Sequence, residues 1–207
     1  MLDTLFTDRV VCVVRAPVVP DPVALCEALA AGGIRTVELT LTTPGALDLL
    51  RKAAGATGTA EAGVALGLGT VLTADDARAA IDAGARFLVT PGLRPAVAEV
   101  ARAAGIPFLQ GALTPTEVLD AHEGGASAVK VFPASAFGPA YLKDLHGPYP
   151  DLRLVPSGGI TAGNAADFLA AGAAAVTAGT GVVPPDVVAA GDWAAITARA
   201  TEFTGGL

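Results

Sequence analysis

A chain of 207 residues is long enough for one large domain and short for two, and 52% apolar residues against 16% charged ones exclude a disordered chain. A net charge of −7 without any cluster of Lys and Arg excludes the electrostatic footprint of a nucleic-acid binder. Two cysteines that form no CxxC and two isolated histidines offer too few soft ligands for a structural zinc site, so no metal is expected.

At the N-terminus, Asp3 and Asp8 stand where a signal peptide would carry positive charge, and the apolar run Val10–Val14 is too short for its core. A cytoplasmic protein is therefore expected. Val10–Val14 is the first of eight short apolar runs, followed by Thr36–Leu41, Val64–Gly69, Arg86–Thr90, Ile106–Gln110, Ser127–Phe132, Leu152–Pro156 and Ala174–Ala178. Most lack the polar alternation of a half-wet strand, which implies burial on both faces, as in a parallel sheet. Cys12 falls within the first run and Cys26 on a helical segment, so both are expected as free, reduced thiols.

Between the runs, segments such as Asp75–Ala83 and Arg94–Ala104 repeat apolar residues at helical spacing with charge opposite. Several end at a small-residue turn: Ala31-Gly32-Gly33, Ala83-Gly84, Ala104-Gly105, Gly124-Gly125 and Ala171-Gly172. Glycine there suits a left-handed C-cap. Phe168 to Pro185 is uncharged over the length of a membrane helix, but Gly172, Gly179, Gly181 and Pro184-Pro185 interrupt it. A helix end running into a short buried strand describes it better, and no membrane association is expected. Eight strand–helix units at this spacing predict a single-domain (β/α)8 TIM barrel over residues 1–207. An open doubly wound sheet is the alternative, though it more often holds about five or six strands.

In such a barrel, chemistry sits where the strands end in their βα loops. That directs attention to Arg15, Glu38, Thr70, Pro91, Lys130, Ser157-Gly158-Gly159 and Gly179-Thr180. Lys130, in AVKVFP, is a lysine in apolar surroundings, where burial favours the neutral amine, a nucleophile toward a ketone. Glu38, in TVELTL, is a second charge in an apolar strand, suited to general acid/base work. A structural ion pair between the two is the alternative, and both readings bring them together. The SGGIT and AGTG loops after the last two runs can cradle a phosphate with backbone N–H groups, which is where barrels often bind one. Thr70 and Arg15, at strand ends, could each hold a carboxylate.

Taken in order, VVRA, VELTLTTPGA, GLGTVL, VTPGL, LTPTE, VKVFPAS with FGP, VPSGGI and AGTGVV resemble the bacterial 2-keto-3-deoxy-6-phosphogluconate (KDPG) aldolase family, which includes 4-hydroxy-2-oxoglutarate (KHG) and 6-phosphogalactonate aldolases. The likeness runs from about Val10 to Asp192. It implies a class I aldolase that cleaves a 2-keto-3-deoxy-6-phospho sugar acid to pyruvate and glyceraldehyde 3-phosphate, with no cofactor beyond the covalent imine and with a homotrimeric assembly. Lys130 matches the Schiff-base lysine and Glu38 the proton-shuttling glutamate. Arg15 and Thr70 match residues that bind the substrate carboxylate, and Pro91 and Phe132 those lining the pyruvyl end. Ser157, Gly158, Gly159, Gly179 and Thr180 match the phosphate loops.

The chain departs from the family pattern in several places. Thr42 stands where many members carry an arginine, Ser157 where threonine is common, and AGTG where a GGS is followed by a large apolar residue. Gln110 and Leu68 replace common Pro and Ala. Competing readings are a 4-hydroxy-2-oxoglutarate aldolase, a phosphosugar epimerase or isomerase, and a non-catalytic phosphate-binding barrel.

Overall fold

A computed structural model describes residues 3–207. The eight strands are β1 (Val10–Val14), β2 (Thr36–Thr40), β3 (Ala65–Gly69), β4 (Leu88–Val89), β5 (Phe108–Ala112), β6 (Ala128–Val131), β7 (Leu154–Pro156) and β8 (Val176–Ala178). All pairings are parallel and the order is β7-β6-β5-β4-β3-β2-β1-β8, so the sheet curls round until its first and last strands face each other. There the Ala174 N–H donates to the Leu154 carbonyl at 2.9 Å, and the barrel is nearly closed.

Helices alternate with the strands, and their ends follow the glycine punctuation. Gly33, Gly84, Gly105, Gly125 and Gly172 all have left-handed φ, between 66° and 102°, which a side chain would resist. Two helix starts are fixed by reciprocal capping boxes, Thr73 with Asp76 and Thr114 with Glu117. The two backbone N–H groups that Glu117 accepts from hold its carboxyl below the usual range.

Only β1 keeps the expected bounds; the other seven strands differ from the expected runs by one or two residues at one end or both. The β4 ladder is limited to Leu88–Val89, although Arg86 and Thr90 still donate to the Leu66 and Leu109 carbonyls on either side. The fifth strand runs to Ala112 because Gly111 and Ala112 pair with Lys130 and Val131. The uncharged stretch from Phe168 resolves into a helix end and β8, and no helix among the described residues is long and apolar enough to cross a membrane.

The strands separate two apolar clusters. Outward side chains such as Val37, Leu39, Leu66, Leu68, Val129 and Val131 pack under the helices. Inward ones, Val11, Phe87, Val89, Leu109, Ala128, Val155 and Ala175, fill the barrel. Leu5 joins this inner cluster from a short helix, Asp3–Asp8, that the sequence pattern did not reveal. A six-residue helix offers too little periodicity to detect.

Two of the inward positions of β3 are glycines, Gly67 and Gly69. A Cβ on Gly67 would come within 2.6 Å of the Phe87 ring, so that ring occupies the space the glycine leaves. Phe87 and its neighbours in the inner cluster thereby fill the lower half of the barrel largely with hydrocarbon.

Leu5 is fully buried. Leu5→Ala should lower unfolding free energy by about 2–4 kcal/mol through the cavity it opens beneath the inner cluster. Urea titration reads this directly, and a loss below about 0.5 kcal/mol would mean that the helix does not close the barrel floor.

Candidate active site

Strands β2 and β6 lie on opposite walls, with three strands between them in either direction round the barrel. Within β6, Ala128 and Lys130 face inward while Val129 and Val131 face the helices. On β2 the alternation turns Glu38 inward while Val37 and Leu39 pack outward. The two long side chains meet in the middle, Lys130 Nζ lying 3.6 Å from Glu38 Oε2. Both are buried, the residues being 7% and 1% exposed.

This geometry bears on the choice between a structural pair and a reactive one. A buried ion pair repays its desolvation only with close contact and with hydrogen bonds on its remaining atoms. Here the separation exceeds hydrogen-bond range, and Glu38 Oε1 is buried with no hydrogen-bond partner among the described residues. The pair is poorly built as a structural tie. It leaves an amine and a carboxylate oxygen exposed to the same small space. The Phe132 ring, 5.8 Å from Nζ, forms part of the wall.

The other buried nucleophiles are inert. Cys12 and Cys26 are free and buried. Burial drives the Cys12 thiol far above its ordinary range, with the charges of Cys26 and Glu38 adding to the effect. Burial likewise pushes Cys26 up to about 12, helped by Glu27. Neither supplies a thiolate near neutral pH.

Around the mouth, the β1 and β2 loops are tied together by hydroxyls. Thr40 Oγ1 donates to the Val14 carbonyl at 3.2 Å, and the Ala16 N–H donates to Thr43 Oγ1 at 3.4 Å. Thr42 Oγ1 lies 3.0 Å from Thr40 Oγ1 and so joins this net. The backbone on both sides of Arg15 is thus held while its side chain stays exposed. No carboxylate lies within ion-pair distance of Arg15 among the described residues.

Thr70, half-buried at the end of β3, has φ 59°, an uncommon conformation for a β-branched residue. Pro91 is brought over the end of β5 by Gly111, where a Cβ would lie 2.2 Å from the Pro91 carbonyl carbon. Thr90 fixes this crossing, donating to the Gly92 carbonyl at 2.8 Å and accepting the Gly111 N–H at 3.1 Å.

The glycine loops follow β7 and β8. Ser157 is buried and pinned by its backbone, donating to Val131 and accepting from Ala134. Gly158 and Gly159 then take left-handed φ values of 90° and 79°. Close approach also requires glycine at 159, since a Cβ there would lie 2.7 Å from Ser135 Cβ. Asn164 braces the loop, accepting from the Thr161 N–H at 2.8 Å and donating to the Gly159 carbonyl at 3.0 Å.

After β8, the Val182 and Val183 N–H groups both return to the Gly179 carbonyl at 2.9 Å. The N–H groups of Gly158, Gly159, Gly179 and Thr180 donate to nothing among the described residues. A set of unspent backbone donors on adjacent loops suits an anion such as phosphate.

The structure therefore brings Lys130, Glu38 and Phe132 together and sets the two glycine loops side by side. It leaves Arg15 and Thr180 exposed, at the edge. Sequence reasoning missed Gly69, Gly111, Ser135 and Asn164. For the first two, the available signal was glycine at an inward strand position.

The chain matches the KDPG and KHG aldolase family over residues 2–199. It is 40% identical to a 2-dehydro-3-deoxy-phosphogluconate aldolase of Treponema pallidum, covering 92% of this chain and 89% of the relative. It is 34% identical to a KHG/KDPG aldolase of Escherichia coli, covering 98% and 93%. Among solved structures, a KDPG aldolase of Legionella pneumophila, with pyruvate captured as a covalent carbinolamine, superposes with TM-score 0.86 at 30% identity, covering 96% and 95%. On this likeness, the chain belongs to the KDPG and KHG aldolase family.

Proposed function

We propose that this chain is a class I aldolase that reversibly cleaves a 2-keto-3-deoxy-6-phospho sugar acid to pyruvate and glyceraldehyde 3-phosphate through an imine on Lys130. The observation that carries the reading is the loose, buried pairing of Lys130 with Glu38 across the barrel. Glu38 takes a proton from the ammonium, and the neutral amine attacks C2 of the keto acid. The carbinolamine hydroxyl leaves as water on receiving a proton from Glu38, giving the iminium.

Glu38 then removes the C4 hydroxyl proton. The C3–C4 bond breaks toward the iminium, releasing the aldehyde and leaving an enamine. Protonation at C3 and hydrolysis of the imine release pyruvate and restore the lysine. The electron sink is the imine itself, so the reading calls for no metal or organic cofactor.

Substrate placement follows from the mouth. Thr70 and Arg15 hold the carboxylate, while Pro91 and Phe132 line the pyruvyl end. Ser157, Gly158, Gly159, Gly179 and Thr180 receive the phosphate through backbone donors. These loops favour a phosphorylated substrate over 4-hydroxy-2-oxoglutarate, the variant suggested by the double name of the Escherichia coli relative. A homotrimeric cytoplasmic enzyme completes the reading. Native mass spectrometry should give three chains per particle, and a monomer would remove the trimer from it.

Borohydride added with pyruvate should trap one pyruvate-derived adduct per chain, seen by intact mass and lost in Lys130→Ala. The absence of an adduct on the unmodified protein would sink the aldolase reading. Glu38→Gln should still bind pyruvate but lose about 10²-fold or more in turnover, the usual scale for a missing acid/base group. Full turnover in that variant would take the proton-transfer role away from Glu38. Gly159→Ala should raise KM for the phosphorylated substrate about tenfold or more, with little effect on pyruvate trapping. Unchanged KM would mean that the phosphate sits elsewhere.

A further inference from the structure

We infer that Gly69 is a positioning residue for the reaction: its missing side chain is the space in which the Glu38 carboxylate lies. The inference rests on the proposed proton-transfer role of Glu38. A Cβ built on Gly69 would fall 1.7 Å from Glu38 Oε1, 2.3 Å from Cδ and 2.6 Å from Cγ. Because Cγ is included, turning the carboxyl about its last bond does not clear the overlap. Backbone conformation does not require glycine here, since Gly69 is not among the residues with left-handed φ. Glycine is needed for what lies above it.

The register explains how this arises. β2 and β3 run side by side, with Glu38 opposite Gly67 and Thr40 opposite Gly69. Glu38 thus leans one pleat toward the barrel mouth, across the inner face of β3. A side chain at 69 would lift the carboxylate off that face, into the space it shares with Lys130 Nζ. The two inward glycines of β3 accordingly have separate tasks. Gly67 receives the Phe87 ring of the lower barrel, and Gly69 receives the acid that works above it.

The test is a double-mutant cycle on the purified enzyme, read by steady-state cleavage and by the rate of borohydride trapping with pyruvate. Gly69→Ala should lower kcat about tenfold or more with KM within about threefold, because the acid is displaced and the substrate contacts are not. In a Glu38→Ala background the atoms that meet the new methyl are gone. The same change should then alter the residual rate less than about twofold.

If Gly69→Ala keeps more than about half of wild-type kcat, or carries its full loss into the Glu38→Ala background, the inference is overturned. Should Gly69→Ala not fold, the double variant should fold, by circular dichroism. A double variant that also fails would place the strain in the strand and equally overturn it. Full turnover in Glu38→Gln would instead remove the proton-transfer role on which the inference rests, so the two failures read differently.

Discussion

Two charged side chains reaching from opposite walls of a hydrocarbon-lined barrel constrain everything else in this molecule. Lys130 and Glu38 are the two charged residues within the eight strands. Taking either charge out of water costs several kcal/mol, and their mutual attraction recovers that only partly at 3.6 Å. The fold has to supply the difference. It does so with helices that bury the outer face of every strand and with a floor of Leu5, Phe87, Val89, Leu109 and Val155 that excludes solvent from below. A pair so expensive and so loosely bonded makes little sense as a stabilising tie. It makes sense as a reactive centre, where an amine must be free to leave the carboxylate for a carbonyl carbon.

The sheet order then decides what surrounds the pair. Since β2 and β6 face each other, the loops after β1 and β3 flank Glu38, and those after β5 and β7 flank Lys130. Arg15 and Thr70 fall on the glutamate side. Phe132, Ser157 and the glycine loop fall on the lysine side, which the β8 loop closes. Small residues let these loops converge: Gly111 admits the Pro91 backbone, and Gly159 admits Ser135. A barrel of about 200 residues has short loops, so convergence has to come from close backbone approach and not from long lids.

Much of this was legible in the residues, for identifiable reasons. Eight apolar runs punctuated by Ala-Gly turns encode strand, helix and cap together, and five of those glycines do take left-handed φ. Lys130 and Glu38 stood out because a charge within a buried run has few explanations, and barrel topology put both at one mouth. What stayed hidden depends on contacts between segments far apart in the chain. The short helix holding Leu5 is too brief for a periodic signal, and its burial is decided by strands it meets only in three dimensions. Gly69 read as part of a β3 motif, but its task is set by a side chain on β2. Ser135 meets Gly159 from a loop distant in sequence, whereas Asn164 braces the same loop from three to five residues along, by side-chain bonds that the local pattern does not announce.

The departures from the family pattern bear on different layers of the site. Thr42 stands where an arginine is common, yet its hydroxyl meets that of Thr40, which bonds the chain just before Arg15, while Thr43 bonds the chain just after it. The loop that no longer supplies a guanidinium now helps to fix the backbone of the residue that carries one. Ser157 contributes through its backbone, and its N–H and carbonyl are both engaged with the neighbouring loop, so losing a methyl there leaves the glycine turn in place. Gly179 and Gly181 would meet nothing if given a Cβ, which makes the β8 loop an open edge and not a fitted wall. In the proposed reading, the chemistry at Lys130 is walled by the barrel strands, whereas the far end of the substrate would meet backbone donors and open space. On that reading the fold would hold the reaction tightly and the identity of the sugar acid loosely, because the former depends on buried side chains and the latter on the rim.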